Sequence, residues 1–198
     1  MQRTYTVLFL GAFLIGLATV GSQTAVAEGA KPGGWVLTKQ VDKLTDDEAF
    51  NIMRRSNEGN ASLGLHCGSG SYTAFVVVPK ALQVDALTLA ELRFDKREAI
   101  GATLQRFDEA FLVSFIGGSK TDTNLVFMTD NAQKAVAGDF SANETARTGA
   151  IIAKAIQSGS QMVYRLPLTK AGNGTEATFN LSGFAQAAVP MIKACPIQ

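Results

Sequence analysis

Two cysteines, Cys67 and Cys195, are the only thiols in the 198 residues, and the compartment in which they fold decides what they do. The opening residues address that question. Arg3 is the only charge before Glu28, and behind it runs an apolar stretch from Val7 to Val20 (VLFLGAFLIGLATV). A short polar patch, GSQT, precedes Ala25-Val26-Ala27, which puts small residues where a signal peptidase pocket must accept them. The pattern predicts a cleaved signal peptide over residues 1–27, and hence a periplasmic or secreted protein. The competing reading is a retained membrane anchor. The strongly apolar part is 14 residues, short of the roughly 20 that a spanning helix needs. The membrane is therefore expected to be touched only through this segment, before cleavage.

In an oxidising compartment, an even number of cysteines favours a disulfide. A Cys67–Cys195 bond would close a loop of more than a hundred residues, stabilising the fold by about 5 kcal/mol on the chain-entropy view. Two free buried thiols, or a metal or redox pair, are the alternatives. One histidine and two cysteines cannot close a zinc site without carboxylates, and the chain contains no C-x-x-C.

Removing 27 of the 198 residues leaves 171, one ordinary domain. The chain carries 18 basic and 17 acidic residues, and only Arg3 departs with the leader. A neutral domain without a basic run has no electrostatic footprint for nucleic acid. Residues 28–34 read as a flexible leader, and residues 35–198 as a single globular domain.

Local patterns predict the elements. Trp35–Val41 reads as a strand. Thr45 stands three residues before Glu48, the spacing of a capping box, so a helix is expected from there through Arg55, with Phe50 and Met53 on its apolar face. Ala61–Cys67 and Tyr72–Val78 alternate like strands and flank a turn at Gly68 and Gly70. Further strands are expected at Leu87–Phe94, Ala102–Phe107, Ala110–Ile116 and Asn124–Met128. Glu144–Gln157 has helical apolar spacing, with Gly159 just past its end. Met162–Leu168 and Glu176–Leu181 form a hairpin, and a last short helix runs from Ser182 to Ile192. Strands joined by turns dominate, with helices not alternating one for one. That pattern predicts an α+β fold: a mainly antiparallel, sandwich-like sheet with two or three helices and one disulfide.

Candidate chemistry is sparse. His66 is the only histidine, so a nucleophile–histidine centre would have to be built on it, yet strand alternation turns it away from Cys67. Arg93 and Asp95 are expected on one strand face, either as an anion-recognising pair or as a strand-end ion pair. Asp46-Asp47-Glu48 suits the first turn of the expected helix, and Asp108-Glu109 suits a turn. The glycine-rich CGSGSY is followed by no lysine or helix and is no phosphate loop. N-x-S/T sequons stand at Asn60, Asn143, Asn173 and Asn180, the last expected to be buried in a strand. No catalytic, cofactor-binding or metal-binding residue is assigned.

Several short motifs occur in a recognisable order: Trp35, LTDD at Leu44–Asp47, LGLHC at Leu63–Cys67, LRFD at Leu92–Asp95, MTDNA at Met128–Ala132, ATFNLSGF at Ala177–Phe184, and Cys195. In this order the chain resembles the type VI secretion-associated VasI/TagO group and related exported bacterial proteins. Asn180 replaces the aspartate of that group's closing strand, and Lys96–Lys120 reads as an inserted pair of strands. The resemblance implies a disulfide-bonded accessory domain of the cell envelope, with Trp35, Arg93, Asp95, Asp130 and Asn131 as its structural or recognition residues. The expected function is a non-enzymatic envelope domain that binds an envelope or secretion-system protein, without cofactor, through exposed aromatics or an edge such as Tyr72–Val78. The alternatives are a cell-wall or glycan hydrolase using acids such as Asp95, Asp108 or Asp130, with two carboxyls converging, and an inhibitor that plugs a lytic enzyme with a loop.

Overall fold

In the computed structural model, residues 34–78, 87–107, 123–129, 142–166 and 174–197 are described. They form one nine-stranded sheet and three helices. The strands are β1 (Val36–Val41), β2 (Glu48–Arg55), β3 (Ser62–Gly68), β4 (Ser71–Val78), β5 (Leu87–Phe94), β6 (Ile100–Phe107), β7 (Thr123–Thr129), β8 (Gln161–Leu166) and β9 (Thr175–Asn180). The helices are α1 (Ala142–Ser158), α2 (Phe184–Ala187) and α3 (Val189–Ala194). Strand order is β1-β2-β3-β4-β7-β6-β5-β8-β9, and every pairing is antiparallel. The expected α+β class and the disulfide are both present.

The β3–β4 hairpin turns on Ser69 and Gly70, with φ of 50° and 74°. Two consecutive positive φ values give the hairpin turn whose twist matches its strands, and glycine takes the second position without a Cβ penalty. Leu63, Leu65 and Cys67 on β3 face the core, together with Tyr72, Ala74, Val76 and Val78 on β4. β4 lies between β3 and β7, with Phe75–Val78 paired on both sides and α1 against the Tyr72 carbonyl, so Tyr72–Val78 is not an available edge.

One expected helix is a strand. Residues 45–55 form the end of a hairpin loop and β2. Thr45, Asp46 and Asp47 favour caps because their side chains bond nearby main-chain groups, and the same chemistry makes turns. Here Asp42 Oδ1 accepts the N–H groups of Leu44 (2.7 Å) and Thr45 (3.3 Å), Thr45 Oγ1 accepts that of Asp47 (3.3 Å), and Asp46 takes φ of 58°. Beyond the turn, Phe50 and Ile52 alternate into the core. Glu48 thus serves no helix N-terminus; it pairs with Lys39 across the hairpin.

The sheet curls until its first and last strands approach each other. Trp35 Nε1 donates to the Leu181 carbonyl (3.4 Å), and the β2–β3 loop reaches β9. Asn57 N–H donates to Thr178 O (2.8 Å), Thr178 N–H to Glu58 Oε2 (2.9 Å), and Asn60 Nδ2 to Glu176 O (2.9 Å). Both halves of the curled sheet bury side chains in one core. α1 enters it through Ile152, Ala153 and Ile156. Gly149 permits the approach: a Cβ there would stand 2.2 Å from the Tyr72 carbonyl oxygen.

The last expected helix is broken into α2 and α3 at Ala188. Pro190 lies in the first turn of α3, where its missing N–H costs nothing, whereas it could not continue a helix from Phe184. Asn180, expected to be buried in a strand, is the last residue of β9 but exposed, because its Oδ1 turns back to accept the N–H (2.9 Å) and hydroxyl (2.7 Å) of Ser182. The signal segment and residues 28–33 of the flexible leader, Asp108-Glu109, the Ala110–Ile116 strand, Asp130, Asn131 and Asn173 lie outside the described residues.

Candidate functional site

Asp95 follows β5 with φ of 53°, so strand alternation ends at Phe94 and does not carry Asp95 to the face of Arg93. Its Oδ1 accepts three hydrogen bonds, from Ser160 N–H (3.0 Å), Ser160 Oγ (2.5 Å) and Gln161 N–H (3.0 Å). Asp95 N–H in turn donates to Gln161 O (2.9 Å). The Ser160 hydroxyl, then the Ser160 and Gln161 amides, hold the carboxyl below its usual range, with a smaller contribution from Arg97. With Lys96, Arg97, Ser160 and Gln161, Asp95 lines an open surface cleft of about 570 Å³. A general acid needs the opposite shift, towards neutrality. Asp95 therefore serves as an anchor joining the end of β5 to the start of β8. Arg93 lies exposed on β5, in register with Val163 of β8.

Trp35 is buried where β1 meets the segment after β9. Its ring meets that of Phe184 edge-on at 5.1 Å, and the Arg54 guanidinium lies 6.0 Å from its centroid. Arg54 Nη1 donates to Ser182 O (3.1 Å). These contacts give Trp35 a structural role, closing the curled sheet. Trp35 and Asp95 are each tied to their own set of partners. A carboxylate ladder also crosses the outer face: Arg165 of β8 pairs with Glu176 of β9 (2.9 Å) and Glu91 of β5 (3.4 Å).

The disulfide joins β3 to the residue after α3, with both cysteines 1% exposed. Tyr72, opposite Cys67 in register, donates its hydroxyl to the Cys195 carbonyl (2.5 Å). Burial pushes the Tyr72 phenol up to about 12. Sequence reasoning did not find this contact, which spans 123 residues. His66, on the other face of β3, has Nδ1 2.8 Å from Asn51 Oδ1. Its burial depresses its pKa and disfavours the imidazolium.

The other feature missed in the sequence is the β1–β2 hairpin tip. Leu44 is 95% exposed there, on a turn fixed by Asp42 and Thr45. Val41, at the end of β1, is also exposed. The signal lies in the sequence as the turn-forming run Asp42 to Asp47, whose second half, Thr45 to Asp47, also has the spacing of a helix N-terminus. Among the described residues, no group of three or more His, Cys, Asp or Glu side chains could hold a metal ion. No family model, curated protein or solved structure matches the chain.

Proposed function

We propose that the protein is an exported, non-enzymatic accessory domain of the cell envelope that binds another protein there. The observation that carries this reading is the buried Cys67–Cys195 disulfide in a chain that opens with an export-type leader. Such a bond is compatible with an oxidising compartment. The order of motifs shared with the VasI/TagO group makes a secretion-system component the candidate partner. Binding is favoured over glycan hydrolysis because the one described acid of the Asp95, Asp108 and Asp130 set is engaged in main-chain anchoring and shifted away from general-acid use.

With β4 central in the sheet, the contact moves to the β1–β2 hairpin tip. An ordered turn that presents a fully solvated leucine loses little conformational freedom on binding. Site-specific photo-crosslinking in the native cell tests this. A photoreactive residue at Leu44 is expected to give a discrete protein adduct, whereas one at exposed Lys154 on α1 gives none. Equal labelling at both positions, or an adduct only from Lys154, would rule out the hairpin as the contact.

A further inference from the structure

The folded protein hides both sulfurs of its disulfide. An external disulfide donor cannot reach either, so oxidation precedes completion of the fold. The two cysteines differ in the elements that hold them. Cys67 lies on β3, paired to Phe50 of β2 and Tyr72 of β4, with α1 packed on the same core face at Tyr72. Cys195 follows two helices of four and six residues. Helices of that length do not persist alone in water, so this segment becomes ordered only when it docks on the sheet. Until it docks, no element of its own holds Cys195, whereas the strands that pair with Cys67 on both sides, β2 and β4, are its neighbours in sequence.

We propose that Cys195 is the entry thiol of oxidative folding and Cys67 the resolving thiol. The Cys195 thiolate attacks a small-molecule or protein disulfide donor, forming a mixed disulfide and releasing one donor sulfur as a thiolate. Docking of α2 and α3 then brings Cys195 over β3. The Cys67 thiolate attacks the Cys195 sulfur, forming the native bond and displacing the second donor sulfur. The donor is reduced by two electrons and the protein is oxidised by two. Tyr72 is a positioning residue for this second step: its hydroxyl holds the Cys195 carbonyl from the strand position opposite Cys67.

The proposal rests on the export reading, because a reducing thiol pool would keep both cysteines reduced. Its test does not require export. The full chain, reduced and unfolded, is diluted into native buffer with oxidised glutathione, quenched with acid at intervals, and mapped by peptide mass. Glutathione is expected on Cys195 earlier than on Cys67 and in several-fold excess, with the preference lost in denaturant. Earlier or equal modification of Cys67 in native buffer overturns the proposal. In Tyr72→Phe, the Cys195–glutathione adduct is expected to form at an unchanged rate but persist several-fold longer. An unchanged lifetime removes Tyr72 from the step. A failure of export would show instead as an uncleaved leader on the protein made in cells, with the glutathione map unaffected.

Discussion

At Asp95 a single carboxylate oxygen gathers two amides and a hydroxyl from the start of β8. An asparagine keeps an acceptor there but loses the charge. Because the folded-state pKa of Asp95 is lowered, its stabilisation is present above the unfolded value of about 3.9 and is lost as pH falls through the folded value. Thermal melts of Asp95→Asn are therefore expected to show a lower Tm than wild type at pH 7, with the difference shrinking below about pH 4. His66 acts in a neighbouring window with the same sign. Its depressed pKa means that the unfolded chain takes up a proton first, so stability falls as pH drops below about 6.5. A His66→Gln variant should flatten the Tm-versus-pH curve between about 6.5 and the folded pKa, and an unchanged slope would contradict this assignment. Tyr72→Phe leaves the buried Cys195 carbonyl without its donor and should cost about 1–3 kcal/mol in urea unfolding.

Among the elements, the β3–β4 hairpin was legible because Gly70 permits a positive φ and the apolar alternation on both sides fixes the register, although the other turn residue is Ser69, and Gly68, expected in the turn, ends β3. The β1–β2 hairpin was not. Asp42, Thr45 and Asp47 carry side chains that cap helices and close turns alike, and only the pairing of β2 with β1 and β3 decides between them. The Asp95–Ser160 anchor was also illegible. Its partners lie 65 residues apart, and the sequence suggested the nearby Arg93 instead. α1 was legible in extent, but the reason for its glycine was not: Gly149 lies against the Tyr72 carbonyl. Gly149→Ala forces a Cβ onto the main chain and should destabilise the protein by about 1–3 kcal/mol, as overpacking does. Gly101→Ala, where a Cβ meets nothing within 4 Å, is the control and should leave the urea midpoint nearly unchanged.

For the molecule as a whole, the curled sheet has two ends to protect. At β9, Asn57, Glu58 and Asn60 engage the outward main chain, as a covered edge requires. Burial alone would raise the Glu58 carboxyl, but hydrogen bonds from Thr178 and Ser56 outweigh it and hold the group below its usual range. The segment from Leu181 to Cys195 closes the other side through Trp35, Phe184, Met191 and the disulfide. Replacing both cysteines by serine should cost about 2–5 kcal/mol in urea unfolding. Whether the protein is an exported domain closed by a disulfide is decided by the intact mass of the protein taken from its own cells under acid quench. The expected species is a chain that begins near Glu28 and is lighter by two hydrogens than its reduced form. A full-length chain with two free thiols would contradict it.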